Sequence, residues 1–326
     1  MSQGTPEVTL TLQDRYRGCL LGLAAGDALG TTLEFKRPGT FTPLTDMVGG
    51  GPFGLQPGQW TDDTSMALCL AESLLECHGF DPRDQMQRYV RWWREGYLSS
   101  TGICFDIGST VAGALRRFLN EEKQTGNANP FAGSTDPQTA GNGSLMRLAP
   151  VPLFFAIEGA AKAIEMAGQS SRTTHGAAAA VDGCRYMAAL MLGALAGASK
   201  DELLGPFFTP AGCEDIWQTH PVTDSVATVA SGSFRPKGTA QIRGSGYVVD
   251  SLEAALWAFD QSTSFEEGAL LAVNLGEDAD TTGAVYGQLA GAFYGEGGIP
   301  ATWLTKLYER ESIVGLADCL LEASPR

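Results

Sequence analysis

Positive charge is scarce in this chain of 326 residues: 22 Lys and Arg stand against 37 Asp and Glu, a net charge of −15 at pH 7. Nucleic-acid backbones and anionic lipid surfaces are held by clustered Lys and Arg, so bare nucleic acid and membrane surfaces are not expected partners. Any phosphate ligand must then be bound locally. Histidine is scarcer still, with only His78, His175 and His220, and no Cys-x-x-C pair occurs, which argues against a zinc centre. The seven cysteines, Cys19, Cys69, Cys77, Cys104, Cys184, Cys213 and Cys319, are odd in number and mostly lie in apolar runs. Buried reduced thiols are expected rather than a disulfide framework. The longest nearly uncharged apolar stretch, 186–198, is shorter than the roughly 20 residues of a membrane span, so no membrane helix is expected. Residues 1–13 carry no basic segment followed by an apolar one, so no signal peptide is expected and the protein is placed in the cytoplasm.

What is present is apolar matter, 44% of residues, with only 18% charged, enough for a substantial core and too little net charge for disorder. Apolar residues recur at three and four spacing rather than alternating, which predicts an all-α protein. Helices are expected at 12–29, 63–77, 82–95, 105–120, 144–156, 159–171, 175–197, 248–260, 264–275, 281–294 and 300–322, the last open to a break. Gly-, Pro- and Thr-rich segments at 36–60, 121–143 and 205–246 read as loops, and with no linker in sight a single domain is expected over 12–323. Glycine recurs every fourth residue at Gly18, Gly22, Gly26 and Gly30, and again at Gly283, Gly287, Gly291 and Gly295. Each costs about 1 kcal/mol of helix propensity relative to alanine. The spacing puts each set on one side of its helix, where missing side chains let another backbone approach closely.

Two acidic motifs stand just ahead of helical runs, one of them the second glycine helix. Trp60-Thr61-Asp62-Asp63-Thr64 precedes one helical run, and Gly276-Glu277-Asp278-Ala279-Asp280-Thr281-Thr282-Gly283 opens another. Either cluster alone reads as helix capping. Together they offer the all-oxygen ligands that hard cations such as Mg²⁺ or Mn²⁺ prefer, with enough carboxylates to outweigh the positive ends of the helix dipoles.

The stretch Gly18–Gly30, the following Glu34, the Thr61-Asp62-Asp63 loop and the segment 277–283 together resemble the ADP-ribosylglycohydrolases, over about residues 15–295 and with the motifs in the family's order. The resemblance implies an all-α, single-domain orthogonal helical bundle with two divalent cations, Mg²⁺ or Mn²⁺, in a cleft. It places the metal ligands on Thr61, Asp62, Asp63, Asp278, Asp280 and Thr281, and a catalytic glutamate on Glu34. Phe105-Asp106-Ile107-Gly108-Ser109 is similar to the family's Asp-x-Gly loop, which contacts the distal ribose and diphosphate; Asp106 would touch the ribose or assist as an acid. Gly141-Asn142-Gly143-Ser144-Leu145-Met146-Arg147 looks like its phosphate-cradling Gly-Asn-Gly stretch, His175 its substrate-side histidine, and Gly244-Ser245-Gly246-Tyr247 a pocket-lining loop. One departure is visible, since the family often has Thr where this chain has Ala279.

The implied activity is metal-dependent hydrolysis of the bond between ADP-ribose and an acceptor, carried by a modified protein or a small conjugate. Arginine is the acceptor most often implied; serine, an O-acetyl ester, a nucleic-acid base and a non-catalytic binding or immunity role are the alternatives. From the residues alone, a net charge of −15 leaves diphosphate binding to helix N-termini and Gly-rich loops, which Gly108-Ser109 and Gly141–Ser144 supply. A two-metal phosphohydrolase would also need cationic residues converging on the phosphoryl group, and the motif segments offer only Arg147.

Overall fold

Two helices that carry glycine every fourth residue run antiparallel at the centre of the molecule. In the computed structural model, which describes residues 10–323, these are α1 (Leu12–Gly30) and α13 (Ala279–Tyr294). A Cβ added at Gly22 would collide with the Gly287 carbonyl oxygen, one at Gly26 with that of Gly283, and one at Gly18 with that of Gly291. The two stripes face each other and nothing larger than hydrogen fits between the backbones. The propensity cost is offset by this contact, which turns two half-buried helices into an almost wholly buried pair.

Around the pair, in chain order, lie α2 (Asp62–Glu76), α3 (Pro82–Glu95), α4 (Ser109–Thr125), α5 (Pro150–Phe155), α6 (Ala160–Arg172), α7 (Ala178–Leu195), α8 (Lys200–Leu203), α9 (Ile216–Thr219), α10 (Asp224–Ala230), α11 (Val248–Gln261), α12 (Phe265–Val273), α14 (Ala301–Lys306) and α15 (Arg310–Ala323). No strand occurs among the described residues, as the helical periodicity predicts. Local signals explain several ends. Thr11 and Asp14 form a capping box at the start of α1, and Asp81 caps α3 just ahead of Pro82, with left-handed Gly96 closing it.

Four expectations about secondary structure need correction. The helix expected from 105 starts at Ser109, because Asp106 has φ +59 and Gly108 is the N-cap. The helix expected from 144 starts at Pro150; proline interrupts a helix interior but suits its first turn, so 142–149 folds as tight turns instead. The helix expected from 175 starts at Ala178, leaving His175 in extended chain beside Ser134. The segment 205–246 is not all loop, since it contains α9 and α10. The break in the last helix is real: Tyr308 N donates to Gly58 O and Trp60 Nε1 donates to Tyr308 O, docking the turn onto the loop that leads into α2.

All seven cysteines are free, but Cys77 and Cys319 are exposed rather than buried. By length and composition the 18-residue α7 is apolar enough to cross a membrane, contrary to the expectation from the 186–198 stretch, and 83% of it is buried against the protein's own helices. Residues 1–9, on which most of the signal-peptide reading falls, lie outside the described residues.

Candidate active site

Antiparallel packing of α1 on α13 brings the C-terminal end of one glycine helix to the N-terminal end of the other. Gly30 abuts Ala279, which sets Asp27 beside the 278–281 motif, and a short 3₁₀ turn (Thr31–Leu33) then delivers Glu34 to the same place. The third acidic segment arrives with α2. Its N-cap Thr61 makes no capping bond with its own side chain; instead Asp27, on α1, accepts from Thr61 N at 2.9 Å, Thr64 N at 3.0 Å and Thr64 Oγ1 at 2.7 Å. Thr61 Oγ1 lies 2.9 Å from Asp27 and 3.1 Å from Asp63 Oδ2, so its proton goes to a carboxylate and its lone pairs stay free.

Two groups of carboxylates result, sharing one member. Oxygens of Asp27, Asp63 and Asp280 lie within 4.8 Å of one another, and so do those of Glu34, Asp106 and Asp280. Burial, reinforced by neighbouring carboxylates, pushes Asp62, Asp63 and Asp280 well above the usual carboxylate range, Glu34 up to about 9 and Asp106 up to about 7. Burial also raises Asp27, to about 6, against the pull of its four hydrogen bonds. Among the described residues, Glu34 Oε2 and Asp63 Oδ1 are buried without a hydrogen-bond partner, and no Lys or Arg lines the cleft above them. Buried like charges without a protein cation are strongly unfavourable. Oxygen-only donors, orphaned acceptors and a shared central carboxylate fit bound hard cations.

A pH dependence follows. Asp27, Asp106 and Glu34 hold protons in the folded chain at higher pH than the roughly 4 of an unfolded carboxyl, so their stabilisation is full below about pH 4 and is lost as pH rises through about 6, 7 and 9. His175 has the opposite sign: burial and then Arg147 lower it to about 3, so its contribution is present above about pH 6.5 and is lost only on acidification. In EDTA the melting temperature should therefore fall between about pH 6.5 and 9. Saturating Mg²⁺ or Mn²⁺ should flatten or reverse that slope, because the cation binds the deprotonated carboxylates. Melting curves that are flat with pH in EDTA would show that the carboxylates do not carry these shifts.

Over the acidic floor lies a cleft of about 380 Å³. Glu34, Asp62, Asp106, Asp278 and Thr281 reach it, whereas Thr61, Asp63 and Asp280 lie beneath. One wall is the uncapped N-terminus of α4, with Gly108 and Ser109; the other is Gly141, Asn142, Gly143, Met146, His175 and Gly246. Asn142 Nδ2 donates to Asp278 Oδ2 at 2.8 Å, and Asn142 N donates to Gly246 O, tying this wall to the acidic motif. Because α5 begins at Pro150, the Gly-Asn-Gly stretch is a loop and not a helix start. Ser144 does not reach the cleft; it pairs with Ser171 at 2.8 Å behind the wall. Tyr247 is half-exposed and bridges Gly141 through its backbone, outside the lining.

Neither a role for Asp27 nor an aromatic row beside the two catalytic candidates was assigned from the sequence. Phe53 stands 6.4 Å from Phe35 and 5.1 Å from Phe105, ring centre to ring centre, while Phe35 is exposed with φ +61. Nothing in the spacing of those aromatics announces the row. Asp27 had a signal, a charged residue inside an otherwise apolar glycine helix.

The family model for ADP-ribosylglycohydrolase matches residues 9–326. The chain belongs to the ADP-ribosylglycohydrolase family. Its members hydrolyse the bond that joins ADP-ribose to a modified acceptor, and this chain is an ADP-ribosyl glycohydrolase. It is 44% identical over 322 residues to the ADP-ribosylarginine hydrolase Tri1 of Pseudomonas putida, covering 99% of this chain and 81% of that protein. It is 34% identical over 303 residues to the ADP-ribosyl-[dinitrogen reductase] glycohydrolase of Rhodospirillum rubrum, covering 91% of each. Among solved structures it is similar to an ADP-ribosylglycohydrolase-related protein complex, with a TM-score of 0.82, 45% identity, and 96% of this chain and 99% of that one covered. The all-helical fold of the family is the one seen here, and the acidic groups under its cleft are able to hold metal.

Proposed function

We propose that this glycohydrolase removes ADP-ribose from arginine side chains of modified proteins, using two divalent cations, Mg²⁺ or Mn²⁺, with residues 12–323 acting as one catalytic domain. The observation that carries the two-cation reading is the pair of carboxylate groups sharing Asp280 beneath the cleft. The arginine reading is supported by the Tri1 relative and by a cleft that, among the described residues, is lined with carboxylates and a neutral His175 but no Lys or Arg, which suits a cationic leaving group.

Thr61, Asp62, Asp63, Asp278, Asp280 and Thr281 would hold the cations, with Asp27 fixing the Thr61 loop through four hydrogen bonds. Bound there, the cations would neutralise the acidic floor, grip vicinal ribose hydroxyls and polarise a water. The N-terminus of α4 at Gly108 and Ser109 would bind the diphosphate through backbone N–H groups and the helix dipole, with the Gly143 N–H opposite; the Gly141 and Asn142 N–H groups are taken by Thr139 O and Gly246 O, and those residues shape the wall. Met146 and Gly246 would shape the pocket for the remainder of ADP-ribose, with Tyr247 supporting it only through its backbone bridge to Gly141 and Ser144 supporting the wall from behind.

Glu34 and Asp106 both line the cleft with carboxylate oxygens within 4.8 Å of each other. Glu34 is the group that accepts and returns a proton, and Asp106 shares that proton and faces the sugar. Positive charge develops on the ribose as the acceptor departs, and the surrounding carboxylates favour it. A phosphohydrolase reading loses its cation: Arg147 is fully buried over the Tyr89 ring and does not reach the cleft. A non-catalytic binding role is disfavoured because all six ligand positions and Glu34 are present.

Purified protein with Mg²⁺ or Mn²⁺ should release ADP-ribose from arginine-linked substrates in preference to serine-linked, ester-linked or base-linked ones, read by mass spectrometry. Release from the others with none from arginine would reject the acceptor assignment. Glu34→Gln should lower turnover by about 10²- to 10⁴-fold while ADP-ribose still binds. Full activity in that variant would remove Glu34 from its role.

A further inference from the structure

Behind the Gly141–Gly143 wall runs a short relay of hydrogen bonds that the reaction as described does not use. Arg147 is buried, with its guanidinium 4.6 Å from the centre of the Tyr89 ring and Nη1 donating to Gly143 O at 2.9 Å. Its Nη2 lies 2.6 Å from Thr174 Oγ1, and Thr174 Oγ1 lies 2.8 Å from His175 Nδ1. A guanidinium can only donate, so the Thr174 hydroxyl accepts from Arg147 and has its own proton left to give. Nδ1 is the acceptor it meets. A neutral imidazole that accepts at Nδ1 carries its hydrogen on Nε2.

The Nε2 edge is the one that faces the wall. A Cβ on Gly143 would come within 2.9 Å of His175 Cε1 and 3.3 Å of Nε2, and one on Gly141 within 3.4 Å of Nε2. These two glycines therefore leave room for the ring as well as for a ligand, and His175 and both glycines bound the cleft together.

We propose that Thr174, held by Arg147, is a positioning residue that fixes His175 as the Nε2–H tautomer and so presents a permanent hydrogen-bond donor to an acceptor oxygen of the ADP-ribose moiety. That ligand assignment rests on the function proposed above; the tautomer does not. The buried Arg147 charge, a few ångströms away through one hydroxyl, also disfavours a second proton on the ring, so the donor stays a neutral one. A site built this way selects ligand atoms that accept, such as phosphate or ribose oxygens, and opposes groups that can only donate.

The ring can be read by long-range ¹H–¹⁵N correlation spectra of ¹⁵N-histidine protein, with three histidines in the chain and a His175→Gln variant to assign the signal. The expected pattern is a protonated Nε2 and a bare Nδ1 in the wild type and in Thr174→Ser, and a mixed or inverted pattern in Thr174→Val. ADP-ribose affinity should fall about tenfold in Thr174→Val and return in Thr174→Ser, the loss of roughly one neutral hydrogen bond. A wild-type ring protonated at Nδ1, or a Thr174→Val protein with wild-type tautomer and wild-type affinity, would overturn the proposal. Failure of the wild type to bind ADP-ribose would overturn the functional reading and the ligand assignment with it, while the tautomer, measured on the protein alone, is decided separately.

Discussion

Asp280→Asn should reduce ADP-ribose release by on the order of a thousandfold, equivalent to about 4 kcal/mol of transition-state stabilisation, while the helical circular dichroism stays that of the wild type. Asp280 is the one carboxylate common to both acidic groups, so the substitution weakens both cation positions at once, yet asparagine keeps the size and the acceptor for Thr281 N at 2.8 Å. Asp62→Asn removes a carboxylate that reaches the cleft itself and should show a loss of similar kind. Both residues are buried, so stability separates charge from structure. In EDTA, Asp280→Asn should melt at or above the wild type, because asparagine cannot ionise and so escapes the cost that burial and neighbouring carboxylates impose on an ionised Asp280. With saturating Mg²⁺ or Mn²⁺ the order should reverse, since the wild type gains binding energy that the variant cannot. Wild-type turnover at ordinary metal concentration, or an equal metal-induced shift in both proteins, would reject Asp280 as the shared ligand.

Gly287→Leu should abolish the folded state, and Gly287→Ala should already destabilise it by about 2 kcal/mol or more. Added side chains in a filled core cost roughly 1–3 kcal/mol each, and here the obstacle is the Gly22 carbonyl, a backbone atom that no rotamer change can move. Helix propensity alone predicts the opposite sign, about 1 kcal/mol of stabilisation for Gly→Ala. Gly315, on the exposed side of α15, is the control: a Cβ there meets nothing within 4 Å, so Gly315→Ala should stabilise by about that amount. Urea titrations of the two alanine variants decide the point. Stabilisation by both would mean that α1 and α13 do not meet at a backbone contact.

The two glycine stripes show how far local pattern reaches. Their four-residue period announces that each helix is approached closely by another backbone, and the acidic motifs ahead of two helical runs announce oxygen-rich chemistry. The three and four spacing of apolar residues places most of the expected helix starts within a residue or two. The starts misplaced at 105 and 144 fail for local reasons, a left-handed Asp106 and the Pro150 that the apolar pattern runs through. Both failures fall at the cleft, where the backbone departs from regular helix so that Asp106 and Asn142 can reach it.

Composition, period and capping are properties of neighbours in sequence, and they determine by themselves that this chain is helical, carries two close-packed glycine helices and bears two acidic oxygen clusters. The tertiary structure alone decides that the stripes pair with each other in antiparallel order, which sets the end of α1 beside the 278–281 cluster. It alone assigns Asp27 to cap α2 across 34 to 37 residues of chain, sets Glu34 against Asp106 and Asp280, and lines Thr174 up with Arg147. The physical reason is that each of these contacts joins polar groups far apart in sequence, and their partners are fixed only when burial of the intervening apolar surface has brought the backbones together.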